Sequence, residues 1–382
     1  MMKPKNPIDR AINGYVRADG QVGVRNTLLI VSMIDLANGI CVRVADAIPG
    51  AAALLTPAGG LSFGREAKLI RLLRARLCAN PNVGAVMIVG ADAAGIERLE
   101  TDLRPLGKPV RSVSLIEAID QRRAVAQGIR LGRALARMLA SERRRPVALS
   151  SLRVGLKSST SSRESTTLVN PQVGRLTDFI VGAGGAVVAT EIADLCGAAD
   201  MLIGRAATGQ TARALRSAFA RADKVLTRLD RGAPDPTPMN KAGGLKSLAQ
   251  KSRGAMKRFG RAKVQSVIGY GRPVPGAGFH FMDGPGSSAV SILGLAAAGC
   301  TLIVNTVGLS AAAAASPIVP LIKAGGPLFA NSRGADIAFA DADDQGARAL
   351  IDLVLRAVSG KQTASERSDP PHVMMPASLP QL

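Results

Sequence analysis

Short apolar runs of strand-forming residues alternate along this chain with segments of helical character, and this alternation limits the folds available to it. Residues 27–33 read TLLIVSM and residues 85–90 read AVMIVG, and helix-compatible sequence follows each run. Runs that are apolar at every position are typical of strands buried on both faces. Successive strands separated by helices pair in parallel through right-handed crossovers. The pattern predicts an α/β protein with two Rossmann-like α/β domains and mostly parallel sheets.

The length of 382 residues exceeds what one small core needs and fits two domains. A charged segment that ends in proline, SERRRP at residues 141–146, favours a boundary between an N-terminal domain, 1–145, and a C-terminal domain, 146–360, that carries the site. Residues 361–382 are polar and proline-rich, which predicts a flexible tail. Polar residues and prolines interrupt the apolar stretch 292–322, so we expect core there and no membrane span.

The net charge of +21 raises the question of a nucleic-acid partner. The arginines are spread along predicted helices without a nucleic-acid-binding motif, and aromatic residues make up only 3% of the chain, so stacking platforms are scarce. We therefore expect a solvated basic surface and no nucleic-acid partner. The four cysteines have no CxxC spacing, which indicates buried, reduced thiols. Residues 1–10 lack the apolar segment of a signal peptide, so we expect a cytoplasmic location.

The segment 238–245, PMNKAGGL, is the strongest candidate for a binding turn. Asn240 and Lys241 precede two glycines, which brings an amide, an ammonium group and accessible backbone N–H groups into one turn. Such a turn suits an anionic ligand rich in oxygen, so a small acid is the expected substrate. Asn240 is predicted to bind it. Lys241 is predicted either to anchor its carboxylate or, if desolvated, to remove the proton α to it.

Three carboxylates follow predicted strands. Glu191 and Asp194 come after the run 186–189, and Asp283 comes after an apolar run that contains His280. Carboxyl ends of parallel strands form the ligand crevices of α/β sheets, so these groups are predicted to hold a divalent cation or to act as acid and base. The alternative is that Glu191 and Asp194 only complement a helix dipole. His280 alternates with phenylalanines, which is typical of a core histidine.

Two further polar groups have two interpretations each. Lys157, Ser158 and Ser162 belong to a hydroxyl-rich loop that either binds an anion or is a serine loop without function.

Arg17, Arg25 and Asn26 lie on either side of a glycine-containing turn. A hairpin or loop there aims both guanidinium groups at one substrate anion, or the arginines form structural salt bridges.

Several of these segments occur in the order found in one family. The motifs GYVRADG at 14–20, VGVRN at 22–26, NPNVGAV at 80–86, PMNKAGG at 238–244 and GFHFMD at 278–283 resemble the altronate and galactarate dehydratase family, which also includes the large subunit of sulfolactate sulfo-lyase. The resemblance spans residues 12 to 325. It implies a lyase that eliminates water, or sulfite in the sulfo-lyase branch, from a hydroxy acid.

The resemblance also implies roles for named residues. Lys241, Arg25 and Arg17 would bind the acid, and the carboxylates Glu191, Asp194 and Asp283 would hold a divalent cation, Fe, Mn or Mg, or act as acid and base. Cation and cationic side chains would stabilise the enediolate formed when the α-proton leaves. A small β-rich partner subunit and a homo- or hetero-oligomeric assembly are implied as well.

The chain departs from the family at polar positions. Residues 158–162 read SSTSS where the family has a Cys-Gly-Gly-Ser-Asp type turn, and 197–200 read GAAD in place of Gly-Ala-Glu-His. A Thr-Thr-Gly-Arg-Gly-like turn is replaced by NTVGL at 305–309. Three functions stay open: a dehydratase-like lyase, a sulfo-lyase-like large subunit, or a non-catalytic homologue that binds small acids or regulates a true dehydratase.

Overall fold

The computed structural model describes residues 11–57, 64–91, 93–228, 237–309, 316–330 and 334–376. The strands are β1 (Ala11–Val16), β2 (Val22–Gly23), β3 (Thr27–Ser32), β4 (Ala51–Leu55), β5 (Val83–Gly90), β6 (Val110–Ser114), β7 (Arg145–Ala148), β8 (Arg153–Ser159), β9 (Ala186–Ala189), β10 (Val264–Gly269), β11 (Gly278–Asp283), β12 (Leu302–Val307), β13 (Leu321–Gly325), β14 (Ile337–Ala338) and β15 (His372–Met374). The helices are α1 (Asn38–Asp46), α2 (Gly64–Ala79), α3 (Ala93–Leu103), α4 (Leu115–Ala118), α5 (Gln121–Ser141), α6 (Asn170–Gly182), α7 (Ala199–Ile203), α8 (Gly209–Arg228), α9 (Pro238–Ala242), α10 (Leu248–Met256), α11 (Ser288–Ala297), α12 (Asp344–Val358) and α13 (Ala364–Ser368).

The N-terminal sheet has the order β15-β4-β3-β5-β6 and is parallel throughout the described strands. Its interior strand β5 is buried at every position, as its unbroken apolar sequence predicts. Helix α5 packs close to α1, because Gly128 and Gly132 leave room for the side chains of Val44 and Ile48. A Cβ atom at Gly132 would stand 2.5 Å from Ile48 Cδ1, so a larger residue would push the two helices apart.

The C-terminal sheet has the order β10-β11-β9-β8-β12-β13-β14, and all its described pairings are parallel. The chain enters in the middle at β8, continues to β9 on one side, and later places β12 on the other side of β8. The direction of winding therefore reverses between β8 and β12. In open α/β sheets, ligands bind outside the carboxyl ends of the strands at such a reversal. The two parallel sheets with their helices confirm the predicted α/β class.

A small antiparallel sheet connects the two predicted domains. Strand β7, which contains the predicted boundary at 145/146, pairs with β1 in a small antiparallel sheet of order β2-β1-β7.

The prediction of a flexible tail from residue 361 is wrong for residues 361–376. They form α13 and β15, and β15 pairs in parallel with β4 of the N-terminal sheet. A capping box between Thr363 and Glu366 starts α13, so local and distant hydrogen bonds both order the segment. Residues 377–382 lie outside the described part of the chain.

The two sheets share a buried core. One cluster joins Leu29 and Val86 of the N-terminal sheet with Val188 and Ile303 of the C-terminal sheet. The described part of the apolar stretch 292–322 is core, as predicted, and contains α11, the strand β12 and the first residues of β13. Among the described helices, none is both long and apolar enough to cross a membrane.

Candidate functional site

A buried cluster of charged side chains lies at the carboxyl edge of the C-terminal sheet. Lys157 Nζ in β8 forms an ion pair with Glu191 Oε1, two residues after β9. Glu191 Oε2 accepts a hydrogen bond from Ser158 N at 3.0 Å and lies 3.6 Å from Arg258 Nη1. The side chains of Lys157, Glu191 and Arg258 are at most 2% exposed. One carboxylate faces two cations, so the cluster carries one excess positive charge away from water.

The backbone is strained at the same edge. Within the described residues, only Ile119, Thr160 and Glu191 combine a side chain with positive φ, and two of the three lie here, with φ of 48° at Thr160 and 74° at Glu191. A residue other than glycine in this region costs roughly 1–3 kcal/mol, and the surrounding contacts must hold it in place. Such strain concentrates at functional sites.

Asn305 completes a polar row across three neighbouring strands. It is the register partner of Lys157 in β8 and of Lys323 in β13, and it is fully buried. Asn305 Oδ1 accepts a hydrogen bond from Ser159 Oγ at 3.1 Å, and Lys323 Nζ pairs with Asp369 Oδ2 at 3.1 Å.

Some buried polar atoms at this edge have no hydrogen-bond partner among the described residues. They include Arg258 Nη1 and Asn305 Nδ2. An unsatisfied buried donor costs about 1–3 kcal/mol, so its persistence calls for a function or a ligand.

The predicted binding turn lies against the predicted hydroxyl loop. Arg163 N donates to Gly243 O at 2.7 Å, and a Cβ atom at Gly243 would stand 2.9 Å from Ser162 Cβ. Asn240 is buried, whereas Lys241 is exposed and has interactions of its own. Lys157 and Ser158, predicted in this loop, lie in β8, and the loop itself begins at Thr160. The structure therefore brings Asn240 and Lys241 to the loop that follows β8. Within that loop, Ser162 Oγ accepts from Ser165 N at 3.1 Å and supports the turn into α6.

The three predicted metal ligands do not come together. Glu191 is neutralised by Lys157 and Arg258, Asp194 pairs with Lys251 at 2.7 Å, and Asp283 pairs with Arg221.

A divalent cation would have to displace an ammonium or guanidinium group from each of these carboxylates. No group of three or more His, Cys, Asp or Glu side chains in the described ranges is arranged to hold a metal ion. The donor set present in the described chain thus does not fit Fe, Mn or Mg.

Arg17 and Asn26 form a network at the amino end of the N-terminal sheet. Arg17 donates to Pro81 O at 2.7 Å, to Asn26 Oδ1 at 2.8 Å and to Arg25 O at 2.9 Å, and it pairs with Glu142 at 3.1 Å. This geometry favours the structural interpretation of the arginine, because its N–H groups are already satisfied within the protein.

Arg25 is held in the same way. Its guanidinium group binds both carboxylate oxygens of Glu366, at 2.6 and 2.8 Å, and donates to Ala357 O at 2.9 Å. Arg25 and Asn26 also line a cavity of about 610 Å³ beside the first residues of β3 and β4. That cavity opens at the amino ends of strands, so it is separate from the carboxyl edge that holds Lys157 and Glu191.

The four cysteine thiols are poor nucleophiles in this structure. Burial raises the pKa of Cys41, Cys78 and Cys300 to about 12 and that of Cys196 to about 11, which leaves the thiols protonated.

His280 is a satisfied core residue, as predicted. Its Nδ1 lies 2.9 Å from Ser266 Oγ and its Nε2 lies 3.0 Å from Gly276 O. Burial lowers the pKa of His280, which keeps the ring neutral.

Sequence reasoning missed Arg258, Asn305 and Ser159. Arg258 belongs to a basic stretch whose other charges are typical of a solvated face, and nothing in its spacing marks it as buried. Asn305 had a usable signal, because an amide within the apolar strand LIVNTV must find a partner once that strand is buried.

Comparison with known proteins agrees with the motifs. Residues 149–379 match the family described as D-galactarate/Altronate dehydratase, C-terminal, and residues 14–140 match D-galactarate dehydratase/Altronate hydrolase, second domain. Altronate dehydratase of Escherichia coli (strain K12) is 27% identical over 96% of this chain and 77% of that protein. The (2R)-sulfolactate sulfo-lyase subunit beta of Chromohalobacter salexigens is 28% identical over 94% of this chain and 95% of that subunit. Altronate dehydratase of Bacillus subtilis (strain 168) is 26% identical over 80% of this chain and 64% of that protein. By its motifs, its two matched domains and these relatives, the chain belongs to the D-galactarate and altronate dehydratase family.

Proposed function

We propose that this protein is a lyase that eliminates water from a hydroxy acid bound at the carboxyl edge of β8, β9 and β12. The observation that carries the proposal is the buried cluster of Lys157, Glu191 and Arg258 beside the winding reversal of the sheet. A carboxylic acid is ionised at neutral pH, and the one excess positive charge of this cluster suits the resulting carboxylate. Arg258 Nη1, which lies 3.6 Å from Glu191 Oε2 and has no hydrogen bond within the described residues, supplies an N–H group for the substrate carboxylate.

The proposed elimination uses the ion pair as base and acid. The Glu191 carboxylate takes the α-proton, the electrons of that C–H bond form the carbon–carbon double bond, and the C–O bond at the β-carbon breaks. The Lys157 ammonium group gives a proton to the departing hydroxide, which leaves as water. Glu191 then returns its proton to Lys157 across the hydrogen bond that joins them, which restores the pair, and the released enol tautomerises to a 2-oxo acid.

Electrostatics favours the buried pair over Lys241 for the chemical step. Negative charge that develops on the substrate carboxylate is stabilised more strongly in a water-excluded cluster than beside an exposed side chain. Lys241 and Asn240 remain proposed substrate contacts, because their turn packs on the loop after Lys157. We expect this turn or the loop 160–162 to move when the acid enters, since the pair is closed off from water. Asp194 and Asp283, each ion-paired, are assigned no step.

A second candidate reaction is the elimination of sulfite from a sulfonated hydroxy acid. The observation that favours it is the match over 95% of the sulfo-lyase subunit beta. The same pair would remove the α-proton, and the carbon–sulfur bond would break instead of the carbon–oxygen bond. Because that relative is named as one subunit of an enzyme, we also propose that this chain functions in a hetero-oligomer with a smaller β-rich subunit.

The test measures 2-oxo acid formed from altronate and galactarate, and sulfite released from sulfolactate. The variant Glu191→Asp keeps the charge, and therefore the ion pairs, but withdraws the carboxylate by one methylene. We expect kcat to fall about 100-fold for the substrate that is turned over, since a shift of about 1 Å has that effect on a positioned group.

A matched control is Lys108→Met, which also removes a buried lysine. Lys108 donates to Cys78 O, Asn80 O and Val83 O, so we expect its loss to lower stability and to leave kcat unchanged below the unfolding temperature. Unchanged kcat in Glu191→Asp would remove Glu191 as the base. No turnover of any acid, even with the partner subunit added, would favour a non-catalytic homologue.

A further inference from the structure

The side-chain amide of Asn305 has one satisfied end and one open end. Asn305 Oδ1 accepts from Ser159 Oγ at 3.1 Å, whereas Asn305 Nδ2 is buried without a partner in the described chain. With Ser159 Oγ as the donor, the end of the amide without a hydrogen bond is Nδ2. A buried strand that keeps an amide with a free donor loses stability by doing so, because an aliphatic side chain of the same size would fit without an unsatisfied group.

The surroundings of the open donor are electrically balanced. Asn305 lies between its register partners Lys157 and Lys323, and each ammonium group is neutralised by a carboxylate, Glu191 or Asp369. An anion at this point would gain little from the flanking lysines, whereas the excess cation of the cluster is Arg258. The two residues therefore suit different parts of the substrate. Its carboxylate suits the excess charge of Arg258, and an uncharged oxygen suits the amide of Asn305.

The backbone holds the pair in position at the reversal of winding. Gly308 N donates to Ser159 O at 3.2 Å, and Leu309 N donates to Thr160 Oγ1 at 3.2 Å. A Cβ atom at Gly308 would stand only 2.1 Å from Thr160 O, so the ends of β8 and β12 approach as closely as a glycine allows. These contacts preorganise the amide before any ligand arrives, which is what recognition by a single hydrogen bond requires.

From these contacts we propose that Asn305 is the residue that selects for a hydroxyl group of the substrate, donating from Nδ2 to the hydroxyl oxygen, with Ser159 as its positioning residue. The inference rests on the proposed function, because it specifies which part of a hydroxy acid this edge of the sheet reads.

The test compares Asn305→Leu with wild type on a polyhydroxy acid and on a series of its analogues that each lack one hydroxyl. Loss of a hydrogen bond from a buried donor should lower kcat/KM for the parent acid by about 10- to 100-fold. For the analogue that lacks the recognised hydroxyl, wild type and variant should agree within about threefold. We expect Ser159→Ala to lie between the two, with its effect mainly on KM.

Stability without substrate gives an independent readout. If the amide serves a ligand, the double variant Ser159→Ala, Asn305→Leu should unfold within about 2 °C of wild type or at a higher temperature, because both polar partners are removed together. The matched control is Asn80→Leu: the Asn80 amide donates to Ala296 O and Cys300 O, so this change should lower the unfolding temperature and leave substrate preference intact.

Two results separate the inference from the proposed function. If wild type turns over hydroxy acids and Asn305→Leu lowers kcat/KM equally for every analogue, or if the double variant is as unstable as Asn80→Leu, then Asn305 is structural and the inference is wrong while the lyase stands. If wild type neither binds nor converts any hydroxy acid, the proposed function and the inference both fail.

Discussion

Two buried lysines in this chain differ in what surrounds them. Lys157 faces a carboxylate and a guanidinium group, whereas Lys108 faces only carbonyl oxygens, those of Cys78, Asn80 and Val83 at 2.6 to 2.9 Å. The Lys108 contacts satisfy carbonyl groups at and just after the end of α2, which is a structural task. Lys157 contributes to a cluster in which Arg258 Nη1 is kept away from water without a hydrogen bond. A buried ion pair is weak evidence for a stabilising role, and this arrangement suits a reaction.

The burial of Lys108 should make the stability of the fold depend on pH. Burial, with a smaller effect of the Arg17 charge, lowers the pKa of Lys108 from 10.5 to about 7. Between pH 7 and 10.5 the unfolded chain therefore binds a proton that the folded chain does not, and stability rises with pH. We expect the free energy of unfolding of wild type, relative to Lys108→Met, to increase by up to about 1.4 kcal/mol per pH unit over this interval.

Urea unfolding of both proteins at pH 7, 8 and 9 measures this difference. A flat difference would mean that the three carbonyl groups, which use every N–H of an ammonium group, keep Lys108 protonated in the folded state.

Single residues of the site were predictable only where a local pattern revealed them. The placement of Glu191 after a strand followed from the apolar run before it, and the core role of His280 followed from its aromatic neighbours. Arg258 was not predictable, because its burial depends on the packing of its segment beside Glu191, which is 67 positions away in sequence (258 − 191). The pairing of Asp194 with Lys251 and of Asp283 with Arg221 is likewise set by helices that arrive from elsewhere.

At the scale of elements, residues 361–376, with α13 and β15, form a clasp that connects the two sheets. Within it, Glu366 binds Arg25, Asp369 binds Lys323, and β15 extends the N-terminal sheet beside β4. The apolar runs made strands such as β3 and β5 predictable. This segment was not, because its order comes from partners more than 300 residues away, such as Arg25, and its own composition is that of a loop.

The clasp predicts an acid-dependent loss of stability. Burial raises the pKa of Glu366, but the hydrogen bonds and charge of Arg25, together with the hydrogen bonds from Thr363, outweigh that effect and lower the pKa from its usual 4.5. A lowered carboxyl pKa stabilises the fold above pH 4.5, and this contribution is lost as the pH falls through the folded pKa. At pH 7, Glu366→Gln should lower the free energy of unfolding by about 2 kcal/mol.

Chemical denaturation at pH 7 and at pH 3.5 compares the two proteins. We expect the difference to shrink at the lower pH, and Arg175→Gln, which removes an exposed pair with Asp344, should change little at either pH. An equal difference at both pH values would show that Glu366 acts through packing and not through its charge.

At the scale of the molecule, the two sheets form one structural unit. They share a buried apolar cluster, and two asparagines of the loop before β5 reach across it. Asn82 Nδ2 donates to Thr301 O at 2.9 Å and Ile318 O at 3.1 Å, while its Oδ1 accepts from Val24 N at 2.8 Å. The candidate site lies on strands whose position depends on this contact. We therefore propose that the division at residues 145 and 146 separates the two parallel sheets but does not separate two independently folding units.

This arrangement predicts that Asn82→Ala weakens both sheets together. The change leaves carbonyl and N–H groups of both halves unsatisfied in the buried joint, so the free energy of unfolding should fall by about 3 kcal/mol. Because the apolar cluster is continuous, wild type and variant should each unfold in one calorimetric transition, and hydrogen exchange of β3 and of β12 should accelerate to the same extent. The variant Asn82→Asp, which turns a buried carboxylate oxygen toward the carbonyl groups of Thr301 and Ile318, should destabilise at least as much. Two separate transitions, with β12 unaffected by the change, would instead make each sheet an independent folding unit, and the site would then depend on the C-terminal sheet alone.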